Sequence, residues 1–330
     1  MSRSRTLLLA LLLTACAKQT APKAAAETAP AEAPAAEEAP VAETPASSTM
    51  NAEFLSRLPP EGTLVTLLDP GAEPRAPIRF QPEVGSLGKV RMTMTMDLTQ
   101  DIAGNAMPKV AIPPILMDMA VDVLDVAEDG TVHFTADLVE VGLGDDPNTP
   151  DMMRELLMAQ FDKMVGLRTE SVITDTGRTV SSAVTFPEGM PEELRGQMDQ
   201  MNQSLAQLAQ PVPDEPVGVG ARWETLSRMD NTLVIGQRTL YELVSRDGDL
   251  AVIQAVVTQS PIEDDVDLGG TPATITAFDS EGQGRSEWLP NSVMPSTARI
   301  DMKLVMTMLV AGVQELDQTM IMGMSMETID

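Results

Sequence analysis

The chain of 330 residues has one cysteine, one histidine, one tyrosine and two tryptophans. A single thiol forms no disulfide within the chain and builds no cysteine-ligated zinc site, even in a compartment that would permit oxidation. Any Ser-His-Asp arrangement would have to use His133, the one imidazole. The run Thr131-Val-His-Phe-Thr-Ala-Asp137 puts His133 opposite Val132 and Phe134, which reads as the solvent side of a strand. No Gly-x-Ser-x-Gly elbow or His-Glu-x-x-His run occurs. Positive charge is also scarce: 22 Lys and Arg stand against 49 Asp and Glu, a formal net charge of −27. Nucleic-acid surfaces are basic and anionic headgroups repel acidic ones, so neither is an expected partner. Paired carboxylates abound in so acidic a chain and carry no information about glycosidase chemistry. The expectation is a non-enzymatic protein without a cofactor.

What is present begins at the amino terminus. Arg3 and Arg5 precede an apolar run, Leu7 to Leu13, and the sequence Leu13-Thr14-Ala15-Cys16 follows. A basic start, a short apolar core and a small-residue cleavage site make a secretory signal peptide over residues 1–15. The run is too short for a transmembrane helix, which needs about 20 apolar residues. Leu13-Thr14-Ala15-Cys16 resembles the lipobox of bacterial lipoproteins. That resemblance implies cleavage before Cys16, a diacylglyceryl group on its thiol and acylation of the new amino terminus. Two or more acyl chains hold a protein stably at a membrane. Ala17 and Lys18 follow the cysteine. In the lipoprotein family the lack of an aspartate there implies the outer membrane, on its periplasmic face or at the cell surface. Residues 16–50 are almost entirely Ala, Pro and Glu, the composition of a disordered linker. A Pro-rich chain spans up to about 3.1 Å per residue, so the linker acts as a spacer between membrane and body.

The remaining chain reads as mainly β. Val90, Met92, Met94, Met96 and Leu98 alternate with Arg91, Thr93, Thr95 and Asp97, the period of a half-buried strand. Met117, Met119, Val121 and Val123 alternate likewise, as do Met302, Leu304, Met306 and Met308, and Met320, Met322, Met324 and Met326. Two helices are expected. One lies near 150–165, capped by Asn148 or Thr149, with Pro150 and Asp151 in its first turn and the stripe Met153, Leu157, Phe161 and Met164. The other lies over 191–209, with Leu194, Met198, Met201, Leu205 and Leu208 on one face, stopped by Pro211 and Pro213. Val123 to Phe134 and Tyr241 to Val252 each read strand, Asp-Gly, strand, a hairpin signal that points to an internal duplication. The expected architecture is two packed antiparallel curved sheets or half-barrels, an α+β variant of the mainly β class. The halves would span 51–210, including the helices, and 211–330.

The second half opens with Pro216-Val-Gly-Val-Gly220-Ala-Arg-Trp223. This resembles the strand-opening motif of bacterial envelope lipoproteins grouped as a domain of unknown function, over about residues 85–330. The resemblance implies a curved half-barrel like those of lipoprotein carriers, and assigns no catalytic residue. Gly218-Val-Gly220 lacks the third glycine and the helix of a dinucleotide loop, and reads as a turn. Glu263 to Gly270 is acidic, but counting from Asp265 the fifth and twelfth places hold Gly269 and Thr276, not the carboxylates of an EF-hand. A surface loop is expected there.

Aromatic residues are 3% of the chain, whereas methionines number 24. Methionine fills irregular cores and lines adaptable apolar surfaces, and its thioether also suits Cu(I). Three uses stay open: core packing, an apolar groove, or a soft-metal site. For the groove, which would take a lipid, another apolar ligand or an envelope protein, the candidates are Met92, Met94, Met96, Met117, Met119, Met302, Met306 and Met308. For Cu(I) or Ag(I), the candidates are Met322, Met324 and Met326.

Overall fold

In the computed structural model, fourteen strands account for nearly all regular structure among the described residues. The structure describes residues 54–329 apart from 148, 189, 191–209, 231–232 and 269. The leader and linker expected over 1–50, Cys16 included, and the helix expected over 191–209 lie outside the described residues.

The first group of strands is β1 (Thr63–Asp69), β2 (Leu87–Ile102), β3 (Asn105–Ala106), β4 (Val110–Val126), β5 (Val132–Leu143), β6 (Arg168–Ile173) and β7 (Thr179–Thr185). The second is β8 (Arg222–Asp230), β9 (Val234–Asp247), β10 (Leu250–Pro261), β11 (Asp265–Asp267), β12 (Pro272–Trp288), β13 (Thr297–Val310) and β14 (Gln314–Ile329). All belong to one antiparallel sheet of order β1-β8-β9-β10-β12-β13-β14-β2-β4-β5-β6-β7, with β3 added to β2 and β11 to β12. The chain is therefore mainly β, as its alternation predicts, and its two halves are meanders joined edge to edge.

The join is continuous. β14 pairs with β2 from Leu316↔Ile102 to Ile329↔Lys89 without a register shift. At the other end, β1 crosses over to pair with β8. The two Asp-Gly turns occupy the same place in each meander, between its second and third long strands. Gly130 and Gly248 both take the positive φ that those turns need. Pro113 and Pro114 inside β4 donate no ladder hydrogen bond, and the register with β2 shifts there, between Met94 and Met96.

The sheet curls without closing. Its two ends are bridged by irregular segments: the Phe80 amide donates to the Asp175 carbonyl at 2.7 Å and the Val212 amide to the Thr176 carbonyl at 2.9 Å. Arg178 adds an ion pair to Asp214 at 2.7 Å. The Pro216–Trp223 motif supplies part of this bridge. A Cβ on Gly218 would stand 1.7 Å from the Ala72 carbonyl oxygen, so only glycine lets the two segments meet. Val217 and Trp223 drop into the core beside them.

A helix, α1 (Asp151–Phe161), follows β5 and buries none of its residues. Its predicted cap is replaced. Pro150 holds the N-cap position without a side-chain cap, and the Thr149 hydroxyl donates to Asp146 instead, at 2.8 Å. Met153 is exposed, whereas Phe161 and Met164 reach the core below. No helix among the described residues is long and apolar enough to cross a membrane. The acidic stretch from Glu263 forms β11, a short arm that pairs with β12 and exposes Asp265 and Asp267. On the outward face of β8 and β9, Arg57 and Arg238 both pair with the buried carboxylate of Glu224. Phe54 beside them is buried, which fixes the start of the described chain against the sheet.

Candidate apolar binding site

Side chains that face inward from opposite arms of the curled sheet meet over much of its length and fill the space as solid core. In one region they do not meet. Ala136 on β5, Ser171 on β6, Ser182 on β7, Ala255 on β10, Gly284 on β12 and Ala298 on β13 all face the interior there, and all are small. They leave a cavity of about 220 Å³. It is partly open, between two unlike walls.

One wall is aromatic. Tyr241 and Trp288 line the cavity; Trp223 stacks behind Tyr241 with ring centroids 5.4 Å apart, and Phe80 backs Trp288 edge-on at 5.1 Å. These rings belong to a single buried cluster on β8, β9, β10 and β12. Their polar tips are tied down: Trp223 Nε1 donates to the Pro211 carbonyl at 3.1 Å, and Trp288 Nε1 to Gln210 Oε1 at 2.8 Å. Gln210 Oε1 also accepts from the Ser286 hydroxyl at 2.7 Å. Burial pushes the Tyr241 phenol well above its ordinary pKa, and hydrogen bonds with Thr225 and Thr239 oppose this only in part. Tyr241 is therefore a neutral, fixed surface facing the cavity.

The other wall is thioether. Met92, Met119, Met324 and Met326 line the cavity from β4, β2 and β14, and Met294 reaches it from the loop between β12 and β13. That loop joins two strands of the second meander and packs against the first. Its Val293 is buried among Val90, Val121, Phe134 and Ile173.

The structure separates the predicted methionines into groups. Met92 and Met119 line the cavity, and so do Met324 and Met326 from the proposed metal set. Met94 and Met117 lie beside it in a solid cluster with Leu138, Val141 and Met164, Met117 fully buried and Met94 partly so. Met306 and Met308 are buried in a separate cluster with Val266 and Ile275, because the β11 arm covers that end of the sheet. Met96, Met302 and Met322 are half-buried and do not line this cavity. His133 faces outward, with Nε2 2.7 Å from Glu170 Oε1, away from this site.

Several lining residues carry no local signal in the sequence. Tyr241, Trp288 and Gln210 lie far apart along the chain and Met294 is in an aperiodic loop. The signal that could have located the site is small side chains at inward positions of otherwise apolar strands, as at Ala136, Ala255 and Ala298. The lining supplies thioethers, rings, hydroxyls and carboxamides, which suit contact with an apolar molecule and a few neutral hydrogen bonds. Its charged member, Arg299, sends its guanidinium to Asp301 at 2.8 Å. No protein-family model matches the chain, and no curated protein matches it in sequence.

Proposed function

We propose that this protein is a lipid-anchored envelope lipoprotein that binds an apolar, chain-like ligand in the cavity between its aromatic and thioether walls. The observation that carries the reading is the cavity itself. The cavity is partly open and its accessible lining is mostly apolar, so an apolar ligand entering it removes apolar surface from water at roughly 25 cal/mol per Å². An apolar cavity of about 150 Å³ already takes a small aromatic molecule, and this one measures about 220 Å³. Small residues at inward positions on six strands hold it open, where a larger aliphatic side chain at any of them would begin to close it.

The test fills the space. Ala136→Leu and Ala255→Leu together project aliphatic bulk from opposing arms. The full chain carrying both is expected to bind a fluorescent fatty-acid probe at least about tenfold more weakly than the wild type, with its melting temperature unchanged or raised. Mass spectrometry of the native protein should show an apolar adduct that the double variant loses. Equal probe binding by both proteins, or no adduct and no probe binding by the wild type, would sink the reading.

The anchor is proposed on the residues around Cys16, which would place the protein at the outer membrane. Its support is the sequence Arg3, Arg5, Leu7 to Leu13 and Leu13-Thr14-Ala15-Cys16. Labelled palmitate should enter the wild-type protein in cells and not a Cys16→Ser variant. Equal labelling of the two would refute the anchor and leave the cavity reading standing.

A further inference from the structure

Three of the methionines that neither line the cavity nor join a core cluster form a row of their own. Met96 on β2 pairs directly with Met322 on β14, and Met322 pairs directly with Met302 on β13. All three lie on the inward face, because Met92, Met324 and Met326 share their alternation on β2 and β14 and line the cavity. Directly opposed residues in an antiparallel pair have Cβ atoms about 4.5–5.5 Å apart. Neighbours on one face of a single strand stand about 6.8 Å apart, two steps of the antiparallel rise. The thioethers that converge best are thus those across the strands. The set expected along β14, Met322, Met324 and Met326, shares one member with this row.

Two further features set the row apart. First, each of its residues is half-buried, and none belongs to the four apolar clusters found among the described residues. The row falls between the cluster around Met92 and the cluster around Met306 and Met308. Second, it ends on a glycine: Met302 pairs with Gly282 and packs over it, where a Cβ would stand 2.8 Å from Met302 Cγ. The absent side chain lets the Met302 stem lie against the strand at the end of the row.

From this arrangement we infer a soft-cation site, in which Met96, Met302 and Met322 together bind Cu(I). The adjacent inward rows are Met94, Met324 and Ile300 on one side and Leu98, Met320 and Leu304 on the other. They offer sulfur and hydrocarbon and no hard oxygen. Thioether ligands select monovalent copper over zinc, calcium and magnesium, which prefer nitrogen, thiolate or oxygen. Among the described residues, no three His, Cys, Asp or Glu are grouped to hold a metal of the harder kind. The site stands independently of ligand binding in the cavity.

The test uses the full chain with Cys16→Ser, so that the lone thiol does not compete, and Ag(I) as a redox-stable stand-in for Cu(I). Methionine methyl groups labelled with carbon-13 are followed by NMR during the titration. A single ion per chain is expected, with the shifts concentrated on the methyls of Met96, Met302 and Met322. Met322→Leu, nearly isosteric, should weaken binding by about tenfold or more while the circular dichroism and melting temperature hold. Met308→Leu, in the covered cluster, should leave the affinity unchanged. Shifts spread evenly over all the methionines, no binding, or undiminished affinity in Met322→Leu would each overturn the site.

Discussion

The aromatic and thioether walls line one cavity, yet they are held by different physics. Both tryptophans and the only tyrosine of the chain lie in the cluster on β8 to β12. The cluster on β2, β4 and β5 is built instead around the buried Met92, Met117, Met164 and Met190. Ring tips on the first wall are pinned by directional bonds, from Trp223 to Pro211 and from Trp288 to Gln210. Thioethers have no comparable anchor and three rotatable bonds, so the second wall adapts its shape at little cost. A rigid surface facing a compliant one suits apolar ligands of varied shape, and on the proposed reading that is the use of the contrast.

The contrast is broken or sharpened most strongly by matched substitutions. Trp223→Ala removes a fully buried ring, its partner in stacking and the bond to Pro211, and should cost about 3–5 kcal/mol. Met92→Leu keeps volume and hydrophobicity on the opposite wall and should cost less than about 1.5 kcal/mol. Urea unfolding of the full chain checks both. Equal losses would mean that the thioether wall is as closely specified as the aromatic one, and the comparison would fail.

Much of the thioether wall was legible in the sequence, and little of the aromatic one. Alternation exposes a strand whenever one face is buried, so Val90 to Leu98 and Met320 to Met326 announced β2 and β14. The Asp-Gly turns marked the hairpins at Gly130 and Gly248 for the same local reason. Which strand pairs with which is not a local property. The β14–β2 join links segments more than two hundred residues apart, and without it the methionines of β2 and β14 do not meet. The aromatic cluster is likewise assembled by the curl, from rings that no period relates. Alternation also cannot tell a covered face from an open one. Met306 and Met308 have the same pattern as Met324 and Met326, but β11 covers only the first pair.

The smallest expected effect concerns the outward faces behind the two walls. Behind the Met92↔Met117 pair, Arg91 grips Asp118 through Nε and Nη2, both at 2.7 Å. Behind the Trp223↔Tyr241 pair, Arg222 meets Glu242 at 3.1 Å, with both side chains well exposed. Asp118 is buried, and the hydrogen bonds from Arg91 hold its carboxyl below the ordinary range despite the opposing effect of burial. A depressed folded pKa contributes stability that is complete above the unfolded value, about 3.9. That contribution is lost as the pH falls through the lower folded value. Acid should therefore loosen the thioether wall before the aromatic one. Below about pH 4, the methyl resonances of Met92 and Met117 should change ahead of tryptophan fluorescence, which reports the aromatic wall alone. In Asp118→Asn the lead should vanish, because that variant has no carboxyl there to titrate. Simultaneous change of the two signals in the wild type would show that the walls are coupled in acid, and that the compliant wall is not the first to give way.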